Sequence, residues 1–217
     1  PVTSDIITAG VRHLKFWTMV GTRMQVSMAD FKKKGSLQTF LSIAFMRVRN
    51  GKEGVTACTT LTGTQDGSLY LWNTKGEMIA NPEKKAHEGP VTILVAPFQG
   101  DQECGNHVFS GGADGKVRRW DAHVSTGLSP IWTIDLEEKT RTVFAPFSAK
   151  KFPVRGIACK DDRIYVGTCM NEIYQFAVEP AVGGKVARAP DVSKVVMHAH
   201  TQGTLHALDI HPLRQEF

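Results

Sequence analysis

The sequence predicts an all-β chain built from a repeated unit of four antiparallel strands, and three observations carry the prediction. A motif recurs at fixed spacing: Thr62-Gly63-Thr64-Gln65-Asp66-Gly67 leads to Trp72, and Ser110-Gly111-Gly112-Ala113-Asp114-Gly115 leads to Trp120. In both copies the hydroxyl residue precedes the Asp by four positions and the Asp precedes the Trp by six. Short runs of alternating apolar and polar residues are bounded by Gly, Asp and Pro, as strands and turns require. No segment sustains a helical period.

Taken in order, a first partial unit predicts strands over residues 5–10, 11–17 and 24–28. The second predicts 40–45, 57–62, 68–72 and a short 78–80. The third predicts 91–95, 107–110, 116–120 and 131–136, and the fourth 154–159, 164–167, 172–177 and 195–198. A last strand, 205–210, opens a fifth unit. Two copies are degenerate. Residues 6–17 keep the strand, a Gly turn and Trp17 but lack the Asp, and residues 164–176 place Phe176 where the Trp would stand. The anchors at 17, 72, 120 and 176 are 55, 48 and 56 residues apart.

Four antiparallel strands repeated in this way describe the blades of a β-propeller, in which no blade can bury both faces alone. The phase predicts a start at the second strand of one blade and an end after the first strand of another. Either residues 205–210 pair back onto residues 5–17 and close a four-bladed ring, or the chain is an arc of a longer, tandem propeller. Residues 1–5 lack an initiator Met, a basic region and an apolar stretch, so they are expected to be a cut into something larger and not a signal peptide. With 217 residues, 41% hydrophobic and 22% charged, the chain is long enough for a sizeable core and unlike a disordered one. No apolar run is long enough to cross a bilayer. The four cysteines, Cys58, Cys104, Cys159 and Cys169, contain no CxxC pair and fit a reducing compartment.

The third unit resembles a WD-repeat blade. That resemblance implies a buried hydrogen-bond chain in which the Trp120 indole meets the Ser110 hydroxyl, the hydroxyl meets the His87 ring, and the ring meets Asp114. Thr62, Asp66 and Trp72 form a partial set of the same kind. The spacing between anchors exceeds the roughly 40–45 residues of a plain WD repeat, so the loops carry insertions. The whole chain resembles the echinoderm microtubule-associated protein-like family. The resemblance is carried by Ile6-Ile7-Thr8-Ala9-Gly10 leading to Phe16-Trp17, the turn Phe31-Lys32-Lys33-Lys34-Gly35, and Lys85-Ala86-His87-Glu88-Gly89-Pro90-Val91. Most diagnostic are Val154-Arg155-Gly156-Ile157-Ala158, Val166-Gly167-Thr168 and Glu172-Ile173-Tyr174, a blade without Asp-Gly and without Trp. His198-Ala199-His200-Thr201-Gln202-Gly203-Thr204-Leu205 resembles the opening of that family's second propeller.

The resemblance implies that residues 1–198 are later blades of a first WD-repeat propeller and residues 199–217 the first strand of the following blade or second propeller. It implies a non-catalytic scaffold of the cytoplasm and cytoskeleton, the cilium included, that binds tubulin, microtubules or neighbouring cytoskeletal proteins through its loops. The remainder of the polypeptide would complete the propeller, and neither nucleic acid nor membrane is an expected partner. The alternative is a general WD-repeat adaptor, such as the substrate receptor of a protein-modifying complex.

His87, Ser110 and Asp114 carry the side chains of a hydrolytic triad, but the GxSxG elbow is absent and the second set at equal spacing belongs to architecture. No enzyme is expected. His198, His200, His206 and His211 invite a metal, yet no Cys or carboxylate stands at ligand spacing, and His200 is the turn histidine of the next blade. Gly115-Lys116-Val117 lacks the residues of a phosphate loop. No metal site and no cofactor is expected. The formal charge of +5 and the lysine turns are the remaining functional signal. Lys32, Lys33 and Lys34, then Lys84 and Lys85, then Lys150 and Lys151 all fall between strands. On one rim they would make a cationic surface suited to acidic tails. Arg118 and Arg119 are adjacent in a strand and point to opposite faces.

Overall fold

A computed structural model describes residues 6–50, 55–97, 107–141, 152–160, 162–178 and 189–197. The alternating runs become four antiparallel meanders. The first is β1 (Ile6–Gly10), β2 (His13–Val20) and β3 (Arg23–Met28). The second is β4 (Phe40–Asn50), β5 (Val55–Thr64) and β6 (Leu69–Asn73). The third is β7 (Val91–Val95), β8 (His107–Gly112), β9 (Lys116–His123) and β10 (Gly127–Asp135), and the fourth is β11 (Val154–Lys160), β12 (Arg163–Thr168), β13 (Ile173–Ala177) and β14 (Val192–Met197).

Apolar faces dictate how the sheets stack. Leu14 and Phe16 of the first sheet meet Phe40, Tyr70 and Trp72 of the second. The opposite face of the second, through Leu61, Leu69 and Leu71, meets Val91, Leu94 and Trp120 of the third. Phe109, Val117 and Ile134 then meet Val154, Val166 and Phe176 of the fourth. Trp72, Trp120 and Phe176 therefore plug the faces that their sheets turn to the preceding ones. This is an open series of propeller blades.

The first strands of three blades share an irregularity invisible in the sequence. The register slips between Phe40 and Ser42, between Val91 and Ile93, and between Val154 and Gly156. The slip frees hydroxyls to reach the next blade: Ser42 Oγ donates to the Val91 carbonyl at 2.9 Å, and Thr92 Oγ1 to the Val154 carbonyl at 2.5 Å. A bulge thus becomes an interblade tie.

Several expected elements differ. The short strand at residues 78–80 is reduced to a bridge between Trp72 and Met78, with the Ile79 amide donating to the Leu71 carbonyl at 2.9 Å. Its outer edge is taken by the preceding connection, since Asp30 donates to the Gly76 carbonyl and accepts from the Met78 amide. The strand expected at 131–136 instead starts at Gly127 and tolerates Pro130 because it is the outermost strand of its sheet, with a slip between Pro130 and Trp132. It ends in a helix, α1 (Leu136–Arg141), whose Glu137 and Glu138 amides donate to the Asp135 carboxylate. An N-cap starts a helix too short to show a period. The strand expected at 205–210 lies outside the described residues.

Candidate functional site

The structure brings the four polar and aromatic residues of the third blade together. The Trp120 indole donates to Ser110 Oγ at 2.8 Å. Ser110 Oγ lies 2.7 Å from His87 Nε2, and His87 Nδ1 lies 2.9 Å from Asp114 Oδ1. Asp114 also accepts the Glu88 amide at 3.0 Å and the Lys116 amide at 3.1 Å. Burial by itself would raise the Asp114 pKa. The His87 ring, by hydrogen bond and charge, and the two amides outweigh it and hold the carboxyl down to about 2. An ionised Asp114 needs the proton on Nδ1, and Nε2 faces the serine hydroxyl. Ser110 Oγ is then used on both sides and fully buried, with no face for a substrate.

Local backbone makes this approach possible. A Cβ on Gly112 would stand 2.3 Å from His87 Nδ1 and 2.5 Å from Asp114 Oδ1, so only glycine fits between them. The His87 amide donates to the Gly67 carbonyl at 3.0 Å, and Gly67, at φ +88°, lies so close that a Cβ would meet the His87 carbonyl at 2.0 Å. His87 thus ties its own blade by its ring and the neighbouring blade's turn by its backbone.

The other blades use parts of this device. Trp72 donates to Thr62 Oγ1 at 2.9 Å, both fully buried, but Asp66 is not joined to that pair. It accepts Thr64 Oγ1 at 2.6 Å and the Ser68 amide at 3.1 Å inside its own turn. Ser36 occupies the position of His87, four residues before the first paired residue of its strand. The first blade contains a set that sequence reasoning missed. Trp17 donates to Thr8 Oγ1 at 3.0 Å, and His13 Nε2 lies 2.8 Å from the same oxygen. The signal was available: Thr8 faces Lys15, two before Trp17, as Ser110 faces Arg118, two before Trp120. By the same register the fourth blade has Val166 opposite Tyr174, two before Phe176, so hydroxyl and indole are absent together.

The lysine turns are not all brought together. Lys32, Lys33 and Lys34 form an exposed turn near the Asn73 end of β6, where Lys32 Nζ lies 3.4 Å from Glu77 Oε2. Lys84 and Lys85 are exposed just after Glu83, which bridges the opposite end of the strand at Leu69. Lys150 and Lys151 lie outside the described residues, as do His198, His200, His206 and His211. Among the described residues no cluster of His, Cys, Asp or Glu is placed to hold a metal ion, and no helix is long and apolar enough to cross a membrane. Burial pushes the Cys159 thiol up to about 12 despite the nearby Arg119 charge, which leaves it inert. Arg119 is buried over the Phe109 ring, 6.0 Å from its centroid, and its Nε and Nη1 find no hydrogen-bond partner among the described residues.

Comparison with known proteins bears on this geometry. The family described as WD domain, G-beta repeat matches residues 81–121, the stretch that carries the complete hydrogen-bond chain. The 77 kDa echinoderm microtubule-associated protein of Lytechinus variegatus is 27% identical over 98% of this chain and 26% of its own length. Echinoderm microtubule-associated protein-like 2 of Homo sapiens is 28% identical over 98% of this chain and 26% of its own. The chain thus spans about a quarter of the length of these relatives. Among solved structures, the β-propeller domain of Cps50 (Swd1) from Myceliophteria thermophila superposes with a TM-score of 0.60 at 14% identity, over 97% of this chain and 60% of that one. Raptor of Chaetomium thermophilum superposes at 0.55 with 16% identity, over 97% of this chain and 17% of that one. These likenesses show the fold. The chain is a stretch of β-propeller with one matched WD repeat at residues 81–121, similar along nearly its whole length to echinoderm microtubule-associated proteins and their relatives.

Proposed function

We propose that the chain belongs to a non-catalytic, microtubule-associated scaffold of the cytoskeleton, in which rigid blades hold binding loops in place. The observation that carries this reading is the similarity to proteins named as microtubule-associated over 98% of the chain. The buried state of Ser110 and His87 supports a scaffold over a hydrolase, because neither can reach a substrate. Residues 1–198 would be blades of one propeller and residues 199–217 the start of the next. Lys32, Lys33 and Lys34 would form one cationic contact, Lys84 and Lys85 a second, and Lys150 and Lys151 a third, each meeting acidic protein tails in a salt-sensitive way. Because the first two turns sit at opposite ends of β6, they act as separate contacts.

Co-pelleting of the full-length protein with microtubules, with and without removal of the acidic tubulin tails, tests the reading. Tail-dependent pelleting that falls as salt rises is expected. No tail-dependent pelleting at low salt removes the charge mechanism, and no pelleting at all favours the general adaptor.

A further inference from the structure

The turn that carries Lys32, Lys33 and Lys34 is built at a cost. Lys32 and Lys33 hold φ angles of 45° and 60°, two consecutive left-handed residues that are not glycine. Each such residue costs about 1–2 kcal/mol, so the surroundings must impose the shape. They do. Asp30 Oδ1 accepts the Lys32 amide at 2.9 Å, and the Lys34 amide donates to the Phe31 carbonyl at 2.8 Å. The Asp30 backbone is pinned between Gly76 and Met78, and the Phe31 ring stands edge-on to Trp72 at 5.1 Å. The result is a clamped turn that presents lysines from a backbone with little freedom left to lose on binding.

Beside it lies a cavity of about 360 Å³ lined by Lys32, Lys34, Asn73, Met78, Ile79 and Val124. Met78, Ile79 and Val124 give an apolar floor, Asn73 adds an amide, and the two lysines stand on the wall. Glu77 near Lys32 orients that ammonium. An aliphatic side chain fits the floor and carboxylates fit the lysines. Among the described residues no aromatic ring lines the cavity to stack a base, and the apolar surface is recessed where a membrane anchor would protrude.

We propose that this cavity binds an acidic peptide segment of a protein partner, taking one aliphatic side chain onto the Met78, Ile79 and Val124 floor with flanking carboxylates on Lys32 and Lys34. The proposal rests on the protein-binding reading above and names what one of its contacts recognises.

The test uses the full-length protein and a fluorescent peptide of four glutamates around a central leucine, followed by anisotropy at low salt. Lys34→Glu is expected to weaken binding by about tenfold. Val124→Trp, which fills the floor without changing charge, should weaken it by a similar factor. Replacing the peptide's leucine by glycine should do so as well. Lys194→Glu, a charge-matched change on exposed β14, should alter affinity by less than about twofold. Equal losses in the Lys34 and Lys194 variants, or no loss on removing the leucine, overturn the cavity. So does an RNA oligonucleotide or anionic vesicle that binds more tightly than the peptide with the same dependence on Lys34. Microtubule co-pelleting run in parallel separates the two readings. Peptide binding lost in Lys34→Glu with pelleting retained keeps the cavity and removes its role on microtubules, whereas charge-dependent pelleting with no peptide discrimination does the reverse. Lys34 is exposed, so its variant remains informative even if Val124→Trp fails to fold.

Discussion

Thr62 and Trp72 allow the energetics of the blade anchor to be isolated from the histidine. Both residues are fully buried, and one hydrogen bond of 2.9 Å joins them. Thr62→Val keeps the shape and removes the acceptor, leaving an indole N–H in an apolar interface at a cost of about 1–3 kcal/mol. Trp72→Phe strands the threonine hydroxyl for a similar penalty. It also removes part of a ring packed at 5.1 Å from Phe31 and 5.9 Å from Tyr70, which adds about 2 kcal/mol of lost packing. In the double variant both polar penalties vanish and only the packing loss remains. The expected coupling is therefore at least about 2 kcal/mol, the two polar penalties together, with the double variant less damaged than the two single changes added together. The fourth blade already carries this combination in Val166 and Phe176, both fully buried at the matching register. Equilibrium urea unfolding followed by far-ultraviolet circular dichroism measures the cycle without relying on the mutated tryptophan. Additivity within about 0.5 kcal/mol would refute the claim that donor and acceptor are an energetic unit.

Two further predictions follow from buried charge. Asp114 titrates at about 2 in the folded chain against an ordinary carboxyl value of 3.8, so its contribution of about 2 kcal/mol is complete above 3.8 and lost as pH falls through 2; acid unfolding should shift to higher pH in His87→Ala, with no chemical activity lost, and an unchanged acid midpoint would contradict the assignment. Arg119 stands where β6 has Leu71 and β2 has Phe16, so Arg119→Leu should raise the unfolding midpoint by about 1–3 kcal/mol in free energy, and a loss of stability would show that the guanidinium is paired.

Legibility in the sequence followed the range of the interaction. The β8–β9 hairpin and its turn were readable because Ser110, Asp114, Gly115 and Trp120 act within a few residues of one another. The same repeat located β5 and β6. What escaped depended on distant partners or on exceptions allowed by position. Pro130 marks a boundary by its type alone, yet an outermost strand does not need its N–H. The charged run from Arg47 to Lys52 hid the continuation of β4 to Asn50 and the start of β5 at Val55. Asp66 kept the expected spacing, but the turn around it supplied Thr64 and Ser68 as nearer partners, and spacing cannot tell which hydroxyl a carboxylate will choose. His13 was passed over because it lies inside a hairpin while His87 precedes one, although both reach an equivalent hydroxyl oxygen.

The comparison of His87 with Ser36 links the fastener to the binding surface. Both residues end the connection into the first strand of a blade. In the connection to β7 the imidazole reaches Ser110 and Asp114 while its backbone holds Gly67, so the loop carrying Lys84 and Lys85 is tied down by its last residues. In the connection to β4 no imidazole is available, and the loop is tied both at its beginning, through Asp30 on Gly76 and Met78 and Phe31 on Trp72, and before the strand, where the Gln65 amide donates to the Thr39 carbonyl at 3.0 Å. The lysines of the first connection are set over the outer end of β6 beside an apolar cavity, and those of the second over its other end. One repeated architecture thus presents two basic turns to different surroundings, one beside Asn73 and one beside Leu69.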